Sequence, residues 1–253
     1  MIDFYYWPTP NGWKVSIMLE ETGLPYALKP VNIGAGDQFA PAFMAISPNA
    51  RMPAIVDHDT PEGSLPVFES GAILIHLAEK SGRFMPMSGA GRKECLEWLF
   101  WQVGNLGPMA GQLSHFVNYA KSVQDGDHLY AHKRYAGEYN RCLGVLERRL
   151  EGRSFMLDDY SVADMISWPW VLIAKPLGQS LDEFPNVSRW RDLIKARPAV
   201  QRGVDLGKDL RQTGQHSEES RKILFGQTAR SLGRQGGVGN QSNQSSPRAE
   251  PIR

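Results

Sequence analysis

Almost every segment that reads as a β-strand lies before residue 70, and from Lys93 to about Leu206 the apolar residues recur at helical spacing. That division restricts the chain to a small sheet with its own covering helices, followed by an all-helical region. IDFYY opens as a strand, and the turn WPTPNGWK hands it to a helix in VSIMLEETGL. YALKPVNI (Tyr26 to Ile33) is a second strand, followed by a short helical piece around PAFMAI. Pro53 directly precedes a third strand, Ala54 to Asp57, and Leu65 to Glu69 is a fourth. Ser70 then leads into GAILIHLAEKSG, a helix that Gly82 ends. The order β, α, β, α, β, β, α defines an α/β domain over 1–86. ECLEWLFWQVGNLGPM, YAHKRYAGEYNRCLGVLERRLEG and SVADMISWPWVLIAK mark an all-helical domain over 87–206. From 207 the apolar periodicity thins, and 227–253 is dominated by Gly, Ser, Asn, Gln and Arg, so 207–253 is expected to be a polar, mobile tail.

A chain of 253 residues with net charge +1 has no basic excess to attract nucleic acid or an anionic membrane. Neither is expected as a partner. No apolar run approaches the roughly 18 residues of a membrane span, and MIDFYYWPTP lacks the positive run and apolar block of a secretory signal, so a cytoplasmic location is expected. The two cysteines, Cys95 and Cys142, are far apart in helical contexts, which excludes a CxxC redox pair and a multi-cysteine zinc site. No metal is expected.

The turn after the first strand offers Thr9, Asn11 and Gly12, but no cysteine, histidine or acid. Ser70 stands at or near a helix N-cap, where free backbone N–H groups attract a carboxylate. Ser161-Val-Ala-Asp164 has the form of a capping box before an apolar run, which assigns Asp164 to folding, and Pro169 inside that run predicts a kink.

RMPAIVDHD followed by VFESGAILIHLAEK resembles the thioredoxin-like, glutathione-binding domain of glutathione transferases, whose helical second domain matches the helical stretch from Lys93 onward. PTPNGWK, Gly36-Asp37-Gln38-Phe39, ISPN, MPAIVDH, FESGAIL, WLFWQVGNLGPM and the WPW helix narrow the resemblance, from Met1 to about Arg197, to the bacterial Nu-class enzymes, which act as glutathione-dependent disulfide-bond reductases. The resemblance implies a cis Pro53, with the backbone of Met52 meeting the peptide backbone of glutathione. It implies that Glu69 meets the γ-glutamyl amino group and Ser70 its carboxylate, that Gln38 holds the glycine end, and that Arg134 reaches over the cleft to a glutathione carboxylate. Thr9 and Asn11 would direct donors at the glutathione sulfur, where most of the superfamily places a Tyr, Ser or Cys and where Tyr5 and Tyr6 are candidates by residue type. Lys14 either adds positive potential nearby or is a simple exposed lysine in the first helical turn, and Arg134 read without the resemblance is a solvated helix charge.

A free thiol has a pKa near about 8.5, so donors and a helix N-terminus are needed to favour its anion at neutral pH. The substrate would bring its own sulfur. The resemblance further implies a cleft for two glutathione molecules or one glutathione disulfide, reduction of a small disulfide by thiol exchange, and a homodimer. Cys95 and Cys142 are assigned to packing. Trp98, Phe100, Trp101 and the Gly-rich NLGPMAGQ (105–112) are expected along the open side of the cleft or the subunit contact, and His115 and Phe116 near the second substrate. Conjugation of glutathione to electrophiles is the nearest alternative, and a non-enzymatic interaction module is another.

Overall fold

The computed structural model describes residues 1–118, 128–210 and 217–232. β1 (Ile2–Tyr6) buries Ile2, Phe4 and Tyr6 and leaves Asp3 and Tyr5 half-buried, the alternation of a strand with one face fully covered. α1 (Pro10–Thr22) starts at a Thr9 cap with Pro10 in its first turn and stops at Gly23, whose left-handed backbone (φ 70°) lets its N–H donate to Leu19 O. β2 (Tyr26–Pro30) runs parallel to β1 with Leu28 opposite Phe4. It ends earlier than its sequence suggests: the Asn32 side chain accepts from the N–H groups of Gly34 and Ala35 and folds the chain into a turn.

α2 (Pro41–Met44) precedes β3 (Ala54–Asp57) and β4 (Leu65–Phe68), which form an antiparallel hairpin, with β3 antiparallel to β1. The sheet order is β2-β1-β3-β4. α3 (Ser70–Ser81) closes the unit and ends at Gly82 in the left-handed region. This is the thioredoxin-like arrangement, and the Met52-Pro53 peptide bond is cis.

α4 (Gly89–Trp101) passes through a π-helical turn, Gln102–Leu106, into α5 (Gly107–Asn118). α6 (Leu129–Arg149), α7 (Val162–Leu172), α8 (Pro185–Lys195) and α9 (Pro198–Asp205) complete the helical region. α7 is buried from Val162 to Val171 and runs through Pro169; Ser161 and Asp164 form the expected reciprocal capping box. It packs against α1, α3, α4 and α8 and so joins the two halves in one core.

α9 lies on α1. A Cβ at Gly203 would come within 2.8 Å of the Ile17 backbone, so only glycine permits this approach, and Ser16 Oγ donates to Gly203 O at 2.7 Å. Among the described residues no helix is long and apolar enough to cross a membrane.

Within the segment expected to be a polar tail, the structure places two further helices, α10 (Glu218–Phe225) and α11 (Ala229–Leu232). Ser217 caps α10 by accepting from Ser220 N, and Glu218 and Glu219 sit in its first turn, where the helix dipole favours acids. Residues 211–216 and 233–253 of that expected tail lie outside the described residues.

Candidate active site

Two adjoining cavities, of about 430 and about 350 Å³, lie between the sheet domain and the helices α5 and α7. Both are lined by Asn11, Met52 and Trp170. Thr9 and Gln38 face the second, whereas Lys14, Pro53, Glu69 and Ser70 face the first. The structure thus brings together seven of the eight residues expected to hold glutathione or act on it.

The N-terminus of α1 opens at the junction. Thr9 Oγ1 accepts from Gly12 N at 3.3 Å, which leaves the hydroxyl hydrogen available to donate. Asn11 Oδ1 accepts from Trp170 Nε1 at 3.2 Å, so the amide is oriented and its Nδ2 remains as a donor. Gly12 has no room for a side chain: a Cβ there would lie 2.3 Å from Trp7 O. The close turn between β1 and α1 therefore requires glycine at position 12.

Gln38 is buried; its Nε2 donates to Ile33 O, and its Oε1 has no partner among the described residues. Glu69, at φ 67°, is the cap position of α3 and Ser70 is its first residue, so the helix starts one place earlier than a Ser70 cap would give. No side chain caps this helix, because Glu69 Oε1 accepts from Asn49 Nδ2 instead. The first-turn N–H groups of α3 are left to water or a ligand.

Arg134 is the exception. It pairs with Glu138 at 2.9 Å one turn along α6, its side chain is 60% exposed, and it lines neither cavity. The local i,i+4 partner satisfies the guanidinium on the solvent face, so the expected reach over the cleft is not present.

Lys14, by contrast, is 3% exposed. Its Nζ donates to Gln102 Oε1 at 3.2 Å, and burial pulls its pKa down to about 7, with the Glu69 charge opposing. Tyr6 OH donates to Leu206 O and Tyr5 packs on Phe43, so neither tyrosine serves the cleft. Cys95 and Cys142 are free and buried; burial pushes the Cys95 thiol up to about 11 and raises that of Cys142. Both stay thiols at neutral pH, away from the cavities. Trp98 and Trp101 pack edge to face on each other and against the core, while Phe100 is exposed, so none of the three lines the cleft, whereas Gly107, Pro108, Gly111 and Gln112 of the Gly-rich stretch do. His115 lines the second cavity; Phe116 stacks on Tyr135 instead. Among the described residues no group of three or more His, Cys, Asp or Glu is placed to hold a metal ion.

Several site residues were missed in the sequence pattern. Gln102 is supplied by the π-helical turn, a feature often found at functional sites. Phe225 and Gln227 come back from α10: Phe225 packs on His115 at 4.9 Å, and Arg51 Nη1 donates to Gln227 Oε1 at 2.6 Å across the cavity mouth. The cap Ser217-Glu218-Glu219 and the run Ile223-Leu224-Phe225 before Gly226 were the available signals. Truncation before Ser217 is expected to remove about 1 kcal/mol of apolar cover, read as a roughly fivefold rise in glutathione KM. Truncation after Leu232 should leave KM unchanged. Steady-state kinetics of both forms checks this.

A thioredoxin-like sheet with a cis-proline, an uncapped helix N-terminus beside it and a helical domain closing the cleft define a glutathione-binding transferase fold. The chain belongs to the glutathione transferase family: residues 1–79 match the model described as glutathione S-transferase, N-terminal domain. It is 46% identical over 203 residues to the disulfide-bond oxidoreductase YfcG of Escherichia coli (strain K12), spanning 79% of this chain and 93% of that one. It is 40% identical over 216 residues to the disulfide-bond oxidoreductase YghU of the same organism, spanning 80% and 73%. Among solved structures, a glutathione transferase from Burkholderia graminis with two glutathione molecules bound per subunit matches with a TM-score of 0.77 and 48% identity, over 82% of this chain and 88% of that one. One from Pseudomonas putida with one glutathione disulfide bound per subunit matches with a TM-score of 0.76 and 42% identity, over 81% and 91%.

Proposed function

We propose that this protein reduces small disulfides with glutathione, as a Nu-class member of its family, and that the reacting sulfurs belong to the ligands. The observation that carries the reading is the meeting of two cavities at Asn11, with no cysteine of the protein lining either. Their adjacency suits two tripeptides or one glutathione disulfide, the ligands found in the two related crystal structures.

Thr9 and Asn11 donate to the sulfur, and the N-terminal dipole of α1 adds to the stabilisation of a thiolate. The Met52 backbone pairs with the peptide of the ligand, Glu69 with its ammonium, Ser70 and the first turn of α3 with its γ-glutamyl carboxylate, and Gln38 with the glycine end. A glutathione thiolate attacks the substrate disulfide, forming a mixed disulfide and expelling one substrate thiolate. A second glutathione thiolate attacks the glutathione sulfur of that mixed disulfide, giving glutathione disulfide and the second substrate thiolate. Two thiols are oxidised and one disulfide is reduced, so no external oxidant or reductant is needed.

The test is turnover with a small dialkyl disulfide, coupled to glutathione reductase, against conjugation to an aryl halide. Faster conjugation than reduction rejects the reading. The location is the cytoplasm, where reduced glutathione is abundant. We assign a homodimer whose contact uses the exposed apolar side chains of Leu65 and Phe68 on β4 and Phe100 and Val103 beside the π-helical turn. Sedimentation at micromolar concentration should give a two-chain species; a lone 28.3 kDa species rejects it.

A further inference from the structure

A buried lysine needs either an anion or the loss of its charge. Lys14 lies on the inner face of α1, in the wall of the larger cavity, and its amine donates to a neutral amide oxygen, Gln102 Oε1, at 3.2 Å. Gln102 is itself fully buried, and its Nε2 has no partner among the described residues. The wall therefore presents two polar groups that the protein alone leaves under-satisfied.

The groups facing Lys14 are few. α3 brings Glu69, the π-helical turn brings Gln102, and α7 brings Trp170. Arg51, at the cavity rim, is held by Gln227. Arg197, at the cap of α9, and Arg202 on that helix pair with Glu21 and Glu20 at the far end of α1. Among the described residues Glu69 is thus the one anion acting on Lys14, and under the proposed function a ligand ammonium claims it.

We propose that Lys14 is a charge-regulated positioning residue, an uncharged amine in the empty cleft that takes up a proton when the ligand's carboxylate fills the cavity. The inference rests on the glutathione reading and deepens it. Glutathione carries two carboxylates and one ammonium, so its arrival makes the cavity net more negative by one charge, and an ammonium at Lys14 restores the balance. Burial without a ligand favours the neutral amine, in line with the fall of its pKa to about 7. The positive charge then stands in the cavity that shares Asn11 with the sulfur site, where it favours a thiolate as well as a carboxylate.

Calorimetric titration with S-methylglutathione, in buffers of contrasting ionisation enthalpy, tests it. This ligand keeps both carboxylates and the ammonium but has no thiol proton to release, which would offset uptake at Lys14. Linkage gives an uptake that grows from pH 6 to pH 8, toward one proton, as the empty-cleft amine loses its charge and the bound one keeps it. Lys14→Met should bind with uptake near zero at both pH values; Lys14→Gln serves if the methionine variant does not fold. Binding without uptake at pH 8, or full uptake in the folded variant, overturns the inference and leaves the glutathione reading standing. No binding at millimolar ligand overturns both.

Discussion

Replacing Asn11 with alanine is expected to lower kcat for glutathione-dependent disulfide reduction on the order of 10²-fold, the loss typical of removing one preorganised donor from a developing anion. The geometry makes Asn11 the more exacting of the two donors. Trp170 Nε1 holds its Oδ1 and so aims the amide, whereas Thr9 Oγ1 is engaged only by Gly12 N at 3.3 Å. Thr9→Ala should cost less catalytically, since backbone N–H groups at the start of α1 remain. It should also remove about 1 kcal/mol of helix capping.

The complementary variant, with Cys95→Ala and Cys142→Ala together, should retain most of the activity once the packing loss of two buried thiols is allowed for. The assay is reduction of a small disulfide coupled to glutathione reductase, run across all these variants. A folded, cysteine-free protein that is inactive, beside an unaffected Asn11 variant, would move the sulfur chemistry onto the protein and end the mechanism.

The parts of this site that were legible in the sequence are those governed by local backbone rules. Gly82 ending α3, Pro53 before β3 and Ser161 with Asp164 capping α7 each follow from the chemistry of a few adjacent residues, and the Thr9 cap and Gly23 stop of α1 obey the same rules although they were not read from the sequence. The resemblance to a family then placed Gln38 and Glu69 where they face the cavities, although nothing local distinguishes either from an ordinary loop residue.

What escaped depends on distant partners. Whether Lys14 is a surface charge or a buried amine is decided by Gln102, 88 residues away. The π-helical turn that presents Gln102 is a departure from helical spacing inside a continuous apolar pattern, which periodicity averages over. Arg134 shows the opposite failure: the distant reach implied by resemblance gives way to a Glu138 one turn along its own helix. Phe225 belongs to an eight-residue helix too short to be stable alone, so its position depends on contacts with distant residues, His115 among them.

Asp164→Ala is expected to destabilise the protein by about 3 kcal/mol or more, without altering the ligand-binding groups. The carboxylate is fully buried and accepts from Met156 N at 2.9 Å, Ser161 N at 3.0 Å, Ser161 Oγ at 3.2 Å and Trp190 Nε1 at 2.8 Å. Burial holds its pKa up, to about 6, against the pull of those donors, so at pH 7 it is still mostly an anion and still their acceptor. Alanine leaves donors from the loop before α7, from its cap and from α8 facing an apolar void. Each costs about 1–3 kcal/mol if no water reaches it. Asp164→Asn keeps one acceptor oxygen but turns an NH₂ group toward donors, so it should fall between alanine and the native residue only if the amide oxygen takes the Trp190 side. Urea unfolding at pH 7 measures the loss, and glutathione KM on folded protein below the transition should stay near native. A loss under about 1 kcal/mol would mean that these donors find other acceptors, and that α7, buried from Val162 to Val171, is held in place by apolar packing rather than by its cap.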